Sequence, residues 1–175
     1  MLKIHKATLS TALFLVAASI GTAQAGPNDG LASHKPSAGT AVSQDCVTRK
    51  VAVTSSDVTG NSTSSSSYVN VPDGAVTFNE GRDGCIVVDF TGYSFAPNSG
   101  STVGLVFVQA LLDGVAMFPG EIQFSANDNT YAQSHAASWT ASALAGSHTV
   151  QIQFRSFISG QSVFMHRHTT EVVHR

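Results

Sequence analysis

Residues 149–155 (TVQIQFR) alternate without a break between polar and apolar side chains. Val150, Ile152 and Phe154 share one face of this stretch, and the polar residues between them share the other. Because an extended strand points successive side chains to opposite faces, the pattern predicts a strand with one face on a core and one in water. Strands of this kind are typical of antiparallel sheets.

Further strand patterns recur at short intervals on both sides of this stretch, and turn sequences separate them. Pro72-Asp73-Gly74 and Asp113-Gly114 are strong turn signals, and the second favours a tight hairpin. The polar stretch 54–67 is predicted to be an exposed loop, and residues 136–145 could form one helical turn. The candidate strands are 47–53, 68–71, 75–78, 85–90, 103–112, 115–118, 121–125, 131–139 and 163–173. With 149–155 these are ten candidates, and at this spacing they predict an all-β, antiparallel β-sandwich of eight or nine strands, preferably a jelly roll.

The segment Trp139–Phe154 (WTASALAGSHTVQIQF) has a Leu-Ala-Gly corner that leads into His-Thr-Val. It resembles a closing element of uncharacterised secreted bacterial and phage-tail jelly-roll modules. The resemblance extends over roughly the last seventy residues and implies the jelly-roll fold, with no catalytic residue to carry over.

The first 25 residues have the order of a secretory signal peptide. Lys3 and Lys6 are followed by an apolar stretch from Leu9 to Ile20, and Ala23-Gln24-Ala25 is a small-x-small cleavage site. Residues 26–44 are rich in Gly and Pro and are expected to form a flexible tether. The sequence therefore predicts one β-sandwich domain over residues 45–175, secreted or periplasmic, with no transmembrane segment in the mature chain.

The composition argues against two classes of partner. Nine Lys and Arg stand against eleven Asp and Glu in the 175 residues, so the chain has no basic surface for nucleic acid or anionic lipid. Cys46 and Cys85 are the two cysteines, and an exported chain would join them in a disulfide. Closing a loop of about forty residues would restrict the unfolded chain by about 4 kcal/mol. A pair of buried free thiols is the alternative.

Enzymatic activity finds little support among the motifs. Gly92-Tyr93-Ser94-Phe95-Ala96 lacks the second glycine of a nucleophile elbow. Asp89 and Glu121 are candidate glycosidase carboxylates, but their sequence positions do not bring them together.

The C-terminal strand is richer in potential ligands. His166 and His168 form a His-x-His pair, which on a strand places both imidazoles on one face for a transition metal. His135 or His148 could supply a third ligand. The alternative is a solvated edge strand without metal.

A loop near the middle of the domain is the expected contact surface. Asn127, Asp128 and Asn129 offer clustered oxygens that suit a turn, a sugar or Ca²⁺, although no EF-hand glutamate follows. Tyr131 and Trp139 could stack on a sugar ring, whereas the alternative for Trp139 is a place in the core.

These patterns together favour an exported binding or structural module that is not an enzyme and has no required cofactor. Its partner would be a glycan or a protein outside the cytoplasm. The apolar strand 103–112 would suit a homo-oligomer such as a trimer, although a monomer would bury the same residues. The alternative function is a metal-binding protein or metalloenzyme centred on His166 and His168.

Overall fold

The computed structural model describes residues 50–97, 103–126 and 132–175, and within these ranges the chain forms ten strands and no helix. The strands are β1 Lys50–Ser56, β2 Asn61–Thr63, β3 Val69–Glu80, β4 Gly84–Phe95, β5 Leu105–Leu112, β6 Val115–Ala116, β7 Ile122–Ala126, β8 Gln133–Ala143, β9 Gly146–Ser156 and β10 Val163–His174. No helix in the described ranges is long and apolar enough to cross a membrane.

The strands form two antiparallel sheets. Sheet A has the order β1-β10-β4-β8, with β2 also paired to β10. Sheet B has the order β3-β9-β5-β6, with β7 also paired to β5. Apart from the short strands β2 and β6, the first strand pairs with the last, the second with the second last, and so on inward. This nested antiparallel pairing is the jelly roll, so the predicted fold class is confirmed.

The core lies between the two sheets and follows directly from the alternation in the sequence. In β9, Val150, Ile152 and Phe154 are almost completely buried, while the polar residues between them lie on the outer face. Burying a side chain of this size contributes about 1.5–3 kcal/mol. The other large core side chains are Ile86, Val88, Phe90, Val106, Val108, Phe124, Trp139, Met165 and Val172.

Three local expectations were wrong. Pro72-Asp73-Gly74 does not end a strand but lies in an irregularity within β3, where the register with β9 shifts between Asn70 and Ala75. Asp73 has a positive φ of 57°, and a Cβ on Gly74 would lie 3.0 Å from the Cβ of Val71. The chain therefore changes direction within the strand and resumes its pairing.

The segment proposed as a helical turn, residues 136–145, is instead mostly strand, because β8 continues to Ala143 beside β4. The stretch 54–67 is also not all loop. β1 extends to Ser56, and β2 pairs with the beginning of β10.

Candidate functional site

A β-bulge in β10 determines how the outer face of sheet A is built. Met165 pairs with Ser94 and His168 pairs with Gly92, so His166 and Arg167 together lie opposite the single residue Tyr93. A bulge of this kind inserts one residue and redirects the side chains that follow it.

The bulge separates the two histidines of the His-x-His motif, and the expectation that they share a face was wrong. His166 lies on the outer face, where its ring stacks on Phe164 with centroids 6.2 Å apart. His168 is 4% exposed and packs on the inner side against Phe90. Its Nδ1 donates to the carbonyl of His166 at 2.9 Å.

Of the candidate third ligands, His135 lies across Gly92 from His168 in sheet A, and His148 lies on sheet B. The Nδ1 of His148 is 2.6 Å from the Oδ2 of Asp113, and its Nε2 is 2.8 Å from the carbonyl oxygen of Leu144. His135 contacts the ring of Phe124. In the described ranges, no group of three or more His, Cys, Asp or Glu side chains could hold a metal ion. The prediction of a metal site was based on His166 and His168 sharing a face, and they do not share one.

The residues of the predicted contact loop, Asn127, Asp128, Asn129 and Tyr131, lie outside the described residues. Cys46 also lies outside them. Trp139 is described and is 1% exposed in the core. Its Nε1–H donates to the carbonyl of Gly120 at 2.7 Å. The indole therefore packs between the sheets and presents no face to a sugar.

Opposite the bulge, Tyr93 is 48% exposed on a strand in the middle of sheet A. It borders a groove of about 370 Å³, here called the Tyr93 groove, and a second groove of about 410 Å³ that shares Tyr93 and Arg167. The Tyr93 groove is lined mostly by hydroxyl and charged side chains: Ser55, Ser56, Asp57, Thr91, Ser134, Arg167 and Thr169, together with Gly92 and His168.

The groove continues as a polar strip along the sheet. Thr169 pairs with Thr91, and Glu171 pairs with Asp89 one step further along the same strands. Successive outward residues are about 7 Å apart along a strand, so the polar strip extends for about 14 Å from Tyr93. On β8, the neighbouring outward side chains are small: Ser134, Ala136 and Ser138. No bulky side chain on β8 blocks the path beside Tyr93.

The glycine before Tyr93 explains how the bulged strand fits. A Cβ on Gly92 would lie 3.2 Å from both the Cβ of His168 and the Sδ of Met165. Ser94, on the other side of Tyr93, is completely buried, so it is not an exposed nucleophile. The Gly-Tyr-Ser sequence therefore exposes the aromatic ring rather than the serine hydroxyl.

A second polar cluster lies on sheet B and is satisfied by its own members. The guanidinium of Arg155 is 2.6 Å from Glu121 and 4.6 Å from the centre of the Phe107 ring. Tyr68 donates to Glu121 at 2.5 Å, and burial, followed by this hydrogen bond, raises the pKa of Tyr68. Because Glu121 belongs to this cluster, the structure does not bring it to Asp89, which accepts a hydrogen bond from Ser138 on sheet A.

No protein-family model and no curated protein matches the chain. Among solved structures, dimeric latent PorU from Porphyromonas gingivalis is similar at 12% identity and a TM-score of 0.47, over 76% of this chain and 14% of that one. The CBM36-1 domain of a multidomain xylanase from the hindgut metagenome of Trinervitermes trinervoides matches at 10% identity and a TM-score of 0.36, over 69% of this chain and 96% of that one. A family 35 carbohydrate binding module from Clostridium thermocellum matches at 12% identity and a TM-score of 0.35, over 69% of this chain and 89% of that one. At these identities and TM-scores, the similarities carry no function over to this chain.

Proposed function

We propose that this protein is an exported, non-enzymatic binding module that holds a glycan chain in the Tyr93 groove. The observation that carries the proposal is the ring of Tyr93, which is 48% exposed on a central strand beside hydroxyl-bearing side chains. An aromatic ring can cover the apolar face of a sugar, and hydroxyl and charged groups can bond its edges.

The rigid position of Tyr93 supports binding further. β4 pairs on both sides, with β10 and β8, so its backbone is fixed before any ligand arrives. A preformed aromatic platform loses little conformational entropy on binding. The polar strip from Thr91 to Asp89 offers hydrogen-bonding groups along the path of an extended polymer.

The first experiment screens the full chain against soluble neutral, acidic and amino polysaccharides by native affinity electrophoresis, followed by calorimetry on the polymer that retards it most. Tyr93→Ala should weaken binding at least about tenfold, which corresponds to about 1.4 kcal/mol. Phe157→Ala is the matched control, because Phe157 is an aromatic residue of similar exposure (43%) that does not line the groove. It should bind like the wild type.

Two results would reject the glycan function. One is the absence of retardation by every polymer in the three classes. The other is equal affinity for wild type and Tyr93→Ala, with both proteins folded by circular dichroism.

Export is a separate part of the proposal and rests on the leader-like sequence of residues 1–25 and on the two cysteines. Cys85 is buried in β4, while Cys46 lies outside the described residues. Protein recovered from the secreted or periplasmic fraction should begin at Gly26, and its mass should show two alkylated thiols only after reduction. Two alkylated thiols without reduction would refute the bridge, and retention of residues 1–25 would refute cleavage.

A further inference from the structure

One wall of both grooves is the loop Asp57–Gly60, which joins β1 to β2. Asp57 lines the Tyr93 groove and Thr59 lines its neighbour. All four loop residues are exposed, and Gly60 has a φ of +91°, a conformation that favours glycine. A short exposed loop has few packing contacts, so its position depends on individual hydrogen bonds.

His166 in the bulge supplies such a hydrogen bond. The backbone N–H of Gly60 donates to the Nδ1 of His166 at 2.8 Å. The imidazole is held in place by its near-parallel stacking on Phe164, with 9° between the ring planes. Because Nδ1 accepts this hydrogen bond, it carries no hydrogen of its own, and the ring is neutral in this arrangement.

Protonation would remove this acceptor. An imidazolium carries a proton on both nitrogens and can only donate, so it cannot bond the Gly60 N–H. Histidine is the side chain that ordinarily changes charge between about pH 5 and 8.

Four titratable or charged groups line the two grooves around His166. Arg167 adjoins it in the bulge, and Asp57 lies on the loop. Tyr93 lies opposite, and the Nδ1 of His168 donates to the His166 carbonyl without contacting its ring.

We infer that His166 is a positioning residue: in its neutral form it holds Gly60 and the loop Asp57–Gly60 as the wall of both grooves, and its protonation releases that wall. The consequence for ligand affinity rests on the proposed glycan function. The position of the wall does not, so it can be tested without any ligand.

The test measures amide hydrogen exchange of Gly60 by NMR in the ¹⁵N-labelled full chain. At about pH 7.5, His166→Leu should lower the protection of the Gly60 amide about tenfold, because it removes the acceptor. His166→Asn should keep the protection, because the Asn Oδ1 takes the place of Nδ1. Amides of β9, such as that of Ile152, report whether each variant is folded.

A pH series tests whether the hydrogen bond between Gly60 and His166 is lost when His166 is protonated, or is a contact that does not depend on pH. From about pH 7.5 to 5, wild-type protection at Gly60, corrected for the intrinsic exchange rate, should fall about tenfold. It should stay constant in His166→Asn, whose side chain does not titrate. The control His148→Gln alters a distant histidine and should behave like the wild type.

The inference is overturned if His166→Leu leaves the protection of Gly60 unchanged, or if the loss at low pH persists in His166→Asn. The second comparison stands even if the leucine variant does not fold. If Gly60 exchange follows the expectations but Tyr93→Ala binds glycan like the wild type, the glycan function is rejected and the positioning role of His166 stands. If Gly60 exchange contradicts the expectations while Tyr93→Ala loses glycan binding, only the positioning role of His166 is rejected.

Discussion

Replacing Trp139 with phenylalanine separates a core residue from a binding residue. Trp139 is 1% exposed, and its Nε1–H donates to the carbonyl of Gly120 at 2.7 Å. Phenylalanine cannot make this hydrogen bond and fills less space. A lost hydrogen bond costs about 1 kcal/mol, and the lost packing costs about 1–2 kcal/mol, so we expect a decrease of about 2–3 kcal/mol in the free energy of unfolding.

Urea unfolding followed by circular dichroism measures this decrease, because the variant lacks the only tryptophan of the chain as a fluorescence probe. In the wild type, that tryptophan should emit at the short wavelengths of a buried indole and resist quenching by acrylamide. Tyr93→Ala is the matched control, since substitution of a half-exposed side chain should change stability by no more than about 0.5 kcal/mol.

The two variants should give opposite results, because Trp139→Phe loses stability and keeps glycan binding, whereas Tyr93→Ala loses binding and keeps stability. A Trp139→Phe protein with unchanged stability and lost binding would refute this assignment. It would place the sugar platform at Trp139, as one interpretation of the sequence expected.

Three further substitutions test other parts of the fold. Gly104→Ala would put a Cβ 2.5 Å from the backbone oxygen of Ala96, so its urea midpoint should fall by the equivalent of about 3 kcal/mol; a change below about 0.5 kcal/mol would contradict the packing. Glu80→Ala removes a carboxylate that is 2% exposed and accepts a hydrogen bond from the backbone N–H of Arg175. By the same measurement, this variant should lose about 3 kcal/mol of stability. Unchanged stability would show that the hydrogen bond between Glu80 and Arg175 contributes nothing. Asp113→Asn tests the ion pair between Asp113 and His148. The hydrogen bond between the two side chains raises the pKa of His148 above 6.5 and lowers the pKa of Asp113 below 3.8. The histidine part of the stabilisation is lost as pH rises through the raised pKa, and the aspartate part as pH falls through the lowered one. The wild type should therefore exceed Asp113→Asn by about 1 kcal/mol near pH 4–6.5 and by less on either side, and a difference independent of pH would exclude the ion pair.

The alternation in residues 149–155 was enough to predict β9 and its buried face, because a two-residue period has one structural explanation. The segment 136–145 was ambiguous, because its alanines favour a helical turn whereas Trp139 and Thr140 suit a strand. Pairing with β4 and burial of Trp139 decided in favour of the strand. Such tertiary effects are not visible in local sequence.

Tyr93 was missed as a binding residue because the predicted strand stopped at Phe90. The stretch Gly92–Ala96 was considered only as a candidate nucleophile elbow around Ser94. In the structure β4 continues to Phe95, and Gly92 is the residue that allows β10 to approach closely. A glycine inside a strand pattern can mark the close approach of another chain segment as well as its end.

The bulge in β10 explains why the two histidines do not share a face, and it also shapes the Tyr93 groove. Strict alternation would have placed His166 and His168 on one face and Arg167 on the other. The extra residue instead puts His166 and Arg167 beside Tyr93, and turns His168 into the core. Bulges interrupt sheet pairing at a cost and are frequent beside functional sites, because they aim side chains where regular strands cannot. A variant of β10 with Arg167 deleted should restore regular pairing with β4. If that regularised strand kept both the fold and full glycan affinity, the bulge would be a packing irregularity rather than the feature that builds the groove.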